Sequence, residues 1–142
     1  MKIKKQLTAL IAASALVGTL PASAHEGQHM TPEMMLSLAR VGASSLSPDG
    51  KTIVYSVGFP NIKENKIRTE LFSIASNGTG RRQLTQGIAG LHGARWIQQG
   101  RRISYISSES GEPQVWTMAP DGTDRKQVTR IEGGLSDYLF SP

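Results

Sequence analysis

Apolar and polar positions along this chain keep two rhythms, and the change between them falls between Gly42 and Leu46. In the first part Met34, Leu38 and Val41 recur at helical spacing, which predicts a short helix with one face seeking a surface to dock on. Thr31 suits the N-cap, Pro32 the first helical position, and Glu33 complements the positive end of the helix dipole. Met30 and Met35 stand where a hydrophobic staple would place them, and Gly42 is expected to end the helix. From Leu46 onward the period is two. Ile53, Tyr55 and Val57 alternate with Thr52, Val54 and Ser56, a strand of about six residues. Ser47-Pro48-Asp49-Gly50 before it reads as a tight turn. Leu71 to Ile74 is the next strand, and Asn77-Gly78 predicts a hairpin into Arg82–Thr85, both turn residues tolerating positive φ.

The same message is then repeated. Leu46 to Lys51, Tyr55, Glu70 to Ile74, Asn77-Gly78 and Gln83 to Thr85 are matched by Trp96 to Arg101, Tyr105, Gln114 to Met118, Asp121-Gly122 and Gln127 to Thr129. The offset is 50 from Gly50 to Gly100 and 44 from Phe72 to Trp116, the six-residue difference lying in a longer loop, Phe59 to Lys66, of the first copy. A third copy opens at Leu139-Phe140-Ser141-Pro142. Repeats of this period, made of short strands and glycine turns, are the signature of β-propeller blades. The fold class expected is therefore all-β: the first blades of a propeller behind a short helix. Phe72 and Trp116, at equivalent places, are expected to fill the space between stacked blades.

Charge and composition alter this picture mainly at the start of the chain. Lys2, Lys4 and Lys5 precede an apolar stretch from Leu7 to Leu20, and Ala22-Ser23-Ala24 fits a cleavage site, so residues 1–24 read as a secretory signal peptide. The expected organisation is then a tail and short helix over 25–45, a first blade over 46–90, a second over 91–134 and the start of a third over 135–142. Removing the signal lowers the net charge from +5 to +2, which gives little reason to expect nucleic acid as a partner. No membrane association is expected after cleavage. The chain has no cysteine, which fits export to a bacterial periplasm without disulfides.

Candidate chemistry is sparse. His25-Glu26-Gly27-Gln28-His29 matches H-E-x-x-H, but Gly27 weakens helix at its centre and the helix signals begin only at Thr31. Without a helix the two imidazoles have no common face, so no zinc site is expected. No G-x-S-x-G elbow and no phosphate-binding glycine loop occur. Asp49, Asp121, Asp124 and Asp137 are spread over turns and form no calcium loop. No catalytic, cofactor-binding or metal-ligating residue is assigned.

The segments T-P-E-M-M-L-S-L-A-R-V, L-S-P-D-G-K-T-I-V-Y, E-L-F-S-I with N-G-T-G-R-R-Q-L-T, Q-V-W-T-M-A-P-D-G-T-D-R-K-Q-V-T and I-E-G-G-L-S-D-Y-L-F-S-P together resemble prolyl oligopeptidase family serine peptidases. Their acylaminoacyl-peptidase and dipeptidyl-peptidase branches are nearest, and the bacterial periplasmic dipeptidyl-peptidase 5 type most of all. The resemblance implies a parent protein with a propeller of several blades and a C-terminal α/β-hydrolase domain bearing Ser, Asp and His beyond Pro142. It implies a serine exopeptidase that releases dipeptides from peptide N-termini, with the propeller gating access and the N-terminal helix packed near the hydrolase domain. Peptides are then the expected partners through the parent enzyme, with homodimerisation left open and no cofactor implied. The S-P-D-G and D-G-T elements are shared with TolB-like propellers, so the alternative is a non-enzymatic propeller that binds a protein or peptide partner. A two-blade protein standing alone would have to oligomerise to close its sheet edges.

Overall fold

The computed structural model describes residues 29–141. The signal peptide, its cleavage after Ala24 and His25 to Gln28 of the H-E-x-x-H match lie outside the described residues. Helix α1 spans Pro32–Ser37, with Thr31 as N-cap accepting the Met34 N–H at 3.1 Å through its hydroxyl oxygen. It is shorter than the apolar spacing predicts. Leu38 is already extended, and Val41 belongs to a strand, β1 (Arg40–Leu46). A helix of six residues has little stability of its own, and Arg40–Leu46 instead finds a partner strand for its backbone groups. Gly42, expected as a helix stop, sits in that strand. A Cβ there would lie 2.5 Å from Ser56 Oγ, so the position requires a residue without a side chain. None of the α1 side chains is buried, and Met30 and Met35 both stay exposed.

Two antiparallel four-stranded sheets follow, each in simple sequence order. The first holds β1, β2 (Thr52–Asn61), β3 (Lys66–Ala75) and β4 (Arg82–Gln83). The second holds β5 (His92–Ile97), β6 (Arg102–Ser107), β7 (Gln114–Met118) and β8 (Lys126–Gln127). The sequence repeat is reproduced at the level of register. Ile53 pairs with Ile74 as Ile103 pairs with Met118, and Tyr55 with Phe72 as Tyr105 with Trp116. Each innermost strand carries a bulge at the same place, between Val41 and Ser44 and between His92 and Arg95. Each sheet is thus one blade built from contiguous chain.

The core lies between the two sheets. Val54 and Leu71, on one face of the first sheet, pack with Leu84, Ile88, Leu91 and Ala94 against Ile103, Tyr105 and Met118 of the second. Trp96 and Trp116 close its margin. The Trp96 indole N–H donates to Ser45 O at 3.0 Å, joining β5 to β1 across the blade boundary. Trp116 fills space between blades as expected. Phe72 does not share that core. It lies on the other face of the first sheet, stacked on Tyr55 at 5.8 Å between ring centroids.

The hairpin turns are three-residue loops and not two-residue ones. Gly78 N–H donates to Ala75 O and Ala75 N–H to Thr79 O, so only the glycine takes positive φ (+85°). Asn77 instead accepts the Thr79 N–H and hydroxyl through its side-chain oxygen, and Asp121 does the same for Thr123. In the turn between β5 and β6 the second copy lacks the Pro-Asp pair of the first. There Gln98 and Gln99 are held at φ +49° and +55°. Gln99→Gly should therefore raise stability by about 0.5–1 kcal/mol, since relief of the left-handed strain outweighs the added chain entropy. Chemical denaturation measures it, with Ser47→Gly as a control that should lose stability.

Candidate functional surface

The first copy departs from the second at its β2–β3 hairpin, and the main cleft of the described structure forms there. The six extra residues predicted as loop are largely strand. Phe59, Pro60 and Asn61 pair with Arg68, Ile67 and Lys66, carrying the ribbon three pairs past the sheet. Pro60 is tolerated because β1 pairing ends at Gly58, leaving β2 with a free edge beyond it. Between this ribbon and the Gly87–His92 connection lies an open cleft of about 970 Å³. Phe59, Ile88 and Leu91 give it apolar surface, while Lys63, Lys66 and Arg68 make its charge mainly positive.

A buried carboxylate holds the two walls together. Glu70, 0% exposed, lies where β3 leaves the ribbon. Its Oε2 accepts the Thr85 hydroxyl at 2.8 Å and its Oε1 the Gly87 N–H at 2.7 Å. The Thr85 hydroxyl oxygen in turn accepts the Leu71 N–H at 2.8 Å. Arg68 approaches Glu70 at 3.6 Å and also stands over the Phe59 ring at 5.5 Å, so one guanidinium bridges the carboxylate and the aromatic wall. In the second blade Gln114 occupies the Glu70 place. It accepts the Thr129 hydroxyl at 2.7 Å and the Ile131 N–H at 3.1 Å, and donates to Ile131 O. The offset of 44 aligns E-L-F-S-I with Q-V-W-T-M and Thr85 with Thr129, so the device had a sequence signal, although no role was read from it.

The turn aspartates picked out in the sequence stay apart, as structural groups. Asp49 accepts from Ser47 Oγ at 2.6 Å and from the Lys51 N–H, and these bonds hold its carboxyl below the usual range. Asp121 is lowered by the Thr123 hydroxyl and N–H, and Asp124 by Arg102 and Lys126. With folded pKa values below the unfolded one of about 3.9, these groups favour folding above that pH. The contribution is lost as pH falls through their folded values. Asp121→Asn, which copies Asn77, should flatten the acid limb of a thermal-midpoint profile between about pH 5 and pH 2. An unchanged limb would show that Asp121 does not contribute. Asp137 pairs instead with Arg95 at 2.8 Å.

Among the described residues no histidine is hydrogen-bonded to a serine hydroxyl or a carboxylate. His92 Nδ1 bonds the Gly90 carbonyl oxygen at 2.8 Å. No group of three His, Cys, Asp or Glu side chains among them could hold a metal ion. What the surface does offer is apolar area: Met34, Met35, Leu36 and Leu38 around α1, and Ile62 and Ile67 on the ribbon, are all exposed. The two sets meet in a smaller cleft lined by Leu36, Pro60, Ile62 and Ile67.

No family model matches the chain. It is 52% identical over 112 residues to dipeptidyl-peptidase 5 of Porphyromonas endodontalis, covering 79% of this chain and 16% of that protein. It is 44% identical over 141 residues to dipeptidyl-peptidase 5 of Porphyromonas gingivalis, covering 99% of this chain and 20% of that protein. The chain thus spans a fifth or less of the length of these curated relatives. Among solved structures, the AtxE2 isopeptidase superposes with a TM-score of 0.62 at 20% identity, over 75% of this chain and 21% of that one. A TolB from Agrobacterium tumefaciens gives 0.50 at 24% identity, over 63% of this chain and 31% of that one. At these identities the structures speak for the fold alone. With its two register-matched blades and its dipeptidyl-peptidase 5 relatives, the chain fits a propeller fragment of a prolyl oligopeptidase family peptidase.

Proposed function

We propose that this chain is the N-terminal propeller portion of a periplasmic serine exopeptidase that releases dipeptides from peptide N-termini. The observation that carries the reading is the 52% identity to a dipeptidyl-peptidase 5 across both blades of a propeller. The chain's own part is structural: its blades wall the path by which short peptides reach a hydrolase domain in the same polypeptide. In that domain a serine would attack the scissile carbonyl, a histidine would carry the proton and an aspartate would orient the histidine. The exposed apolar residues of α1 and the β2–β3 ribbon are where such a domain would pack.

The alternative, a TolB-like propeller that binds a protein or peptide partner, draws on the likeness to TolB. One experiment separates the two. The full-length polypeptide, purified from the periplasmic fraction, should release dipeptides from peptides with a free N-terminus, and a serine-directed phosphonate should stop it. An N-terminus beginning at His25 would fit the cleavable signal. Peptide binding with no turnover and no phosphonate adduct would favour the TolB-like reading and end the peptidase one.

A further inference from the structure

The two blades meet through unlike faces, and that makes the outer face of the first blade legible. Register places Val54 opposite Ser73 and Leu71 opposite Ser56, so these four share the face turned towards the second blade. The second blade answers with Ile103, Tyr105, Trp116 and Met118, where Ile103, Tyr105 and Met118 are 0% exposed. By the repeat, the counterparts of those four in the first blade are Ile53, Tyr55, Phe72 and Ile74. They lie on the opposite face, which no other sheet among the described residues covers; Ile53, Tyr55 and Ile74 are only partly buried there. The same side chains, in the same register, form a blade interface in one copy and stand open in the other.

Two arginines mark this face. Arg81 lies over the Phe72 ring at 4.6 Å, and Arg68 over Phe59, whose ring is 6.3 Å from that of Phe72. The repeat counterpart of Arg81 is Arg125, which has a carboxylate partner within its own blade, Glu109 at 3.5 Å. Among the described residues Arg81 has no carboxylate within ion-pair distance. A partner for this face must supply both branched aliphatic side chains, as Val54 and Leu71 do, and a negative charge opposite Arg81. We infer that the Ile53–Tyr55–Phe72–Ile74 face is the closing seam of the propeller, and that its occupant is the last blade of the same polypeptide, bringing a carboxylate to Arg81.

The occupant follows from length and order. The curated relatives are about five times as long as this chain, so further blades have room to follow. The following face of the second blade is already engaged by the chain that comes next, since the Tyr138 hydroxyl bonds Gly93 O at 2.9 Å and Ser104 Oγ at 2.8 Å. A second copy could not stack there in the manner of a neighbouring blade without displacing that contact. The inference rests on the reading of this chain as the front of a longer propeller, and goes beyond it by naming the seam and its chemistry.

The test places p-benzoylphenylalanine at Tyr55 of the full-length polypeptide, with irradiation, digestion and mass spectrometry to locate the adduct. A second probe at Arg81, on an exposed turn, covers the event that the Tyr55 variant does not fold. The expected adduct lies within the same molecule, in a repeat well beyond residue 142, on a strand pair equivalent to that of Val54 and Leu71. Arg81→Glu should lower the thermal midpoint by a few degrees, and changing the carboxylate found opposite to Lys should restore it. Adducts between two molecules, adducts only within residues 29–141, or an Arg81→Glu variant as stable as the parent would overturn the inference. A polypeptide with no repeats after residue 142 would overturn the longer-propeller reading itself, a separate failure visible before any irradiation.

Discussion

Glu70→Ala should destabilise the first blade by about 3 kcal/mol, whereas Glu70→Gln should cost less than about 1 kcal/mol. The asymmetry follows from what the carboxylate satisfies. Removing it leaves the Thr85 hydroxyl and the Gly87 N–H without their acceptors in a place where Glu70 itself is 0% exposed. A hydrogen bond to a charged group contributes about 1.5–3 kcal/mol, and an orphaned buried donor is penalised as well. Glutamine keeps an acceptor, and Gln114 demonstrates that the same threonine-centred arrangement works with a neutral amide. Arg68 is 56% exposed and can turn to water once its partner is neutral, so little of the ion pair's loss should appear as stability. Denaturant midpoints of the two variants in the full-length protein are the measurement. Equal losses for Ala and Gln would mean that the charge, and not the hydrogen bonding, holds the cleft wall in place.

Gly122→Ala should be the most damaging of the glycine-to-alanine changes at equivalent turns, at about 2–4 kcal/mol, against about 1 kcal/mol for Gly78→Ala. Both glycines hold similar left-handed backbone, φ +88° and +85°, so both substitutions carry the same conformational strain. Their surroundings differ. A Cβ at Gly78 meets nothing within 4 Å, while one at Gly122 would fall 2.5 Å from the Leu84 carbonyl oxygen and 3.1 Å from its Cα. Those are backbone atoms of the first blade's outer edge and cannot step aside as a flexible side chain would. The difference between the two variants therefore measures how tightly the second blade's turn seats on the first. If both cost the same, the blades are not in close contact at this point.

Much of the architecture was legible because turn chemistry and strand period agree, twice. Tyr55 with Phe72 and Tyr105 with Trp116 stand opposite one another in the structure as the offsets of 50 and 44 require. What the alternation hid was β1. Arg40-Val41-Gly42-Ala43-Ser44-Ser45 is rich in small residues because an innermost strand is crowded by its neighbours, and small residues carry no period. The apolar spacing that ran on from Met34 to Val41 was a coincidence of helix end and strand start. The Phe59–Lys66 insertion was visible as length but not as strand, since Pro60 argues against pairing unless the edge is known to be free. Glu70 escaped notice for a different reason. A single acidic residue in a strand reads as solvent-facing, and only its partners in Thr85 and Gly87 disclose that it is interior. No catalytic constellation was read from the sequence, and the cleft beside the ribbon emerges only from the fold.

The account's central claim is that these two blades open a propeller peptidase, and the polypeptide beyond Pro142, read to its end, tests it most directly. The account predicts further blades with the same turn and Gln-x-Thr spacing, and after them a hydrolase domain with a serine in a G-x-S-x-G elbow, then aspartate, then histidine. Further blades running to the end of the polypeptide with no such domain would contradict the peptidase and leave a binding propeller.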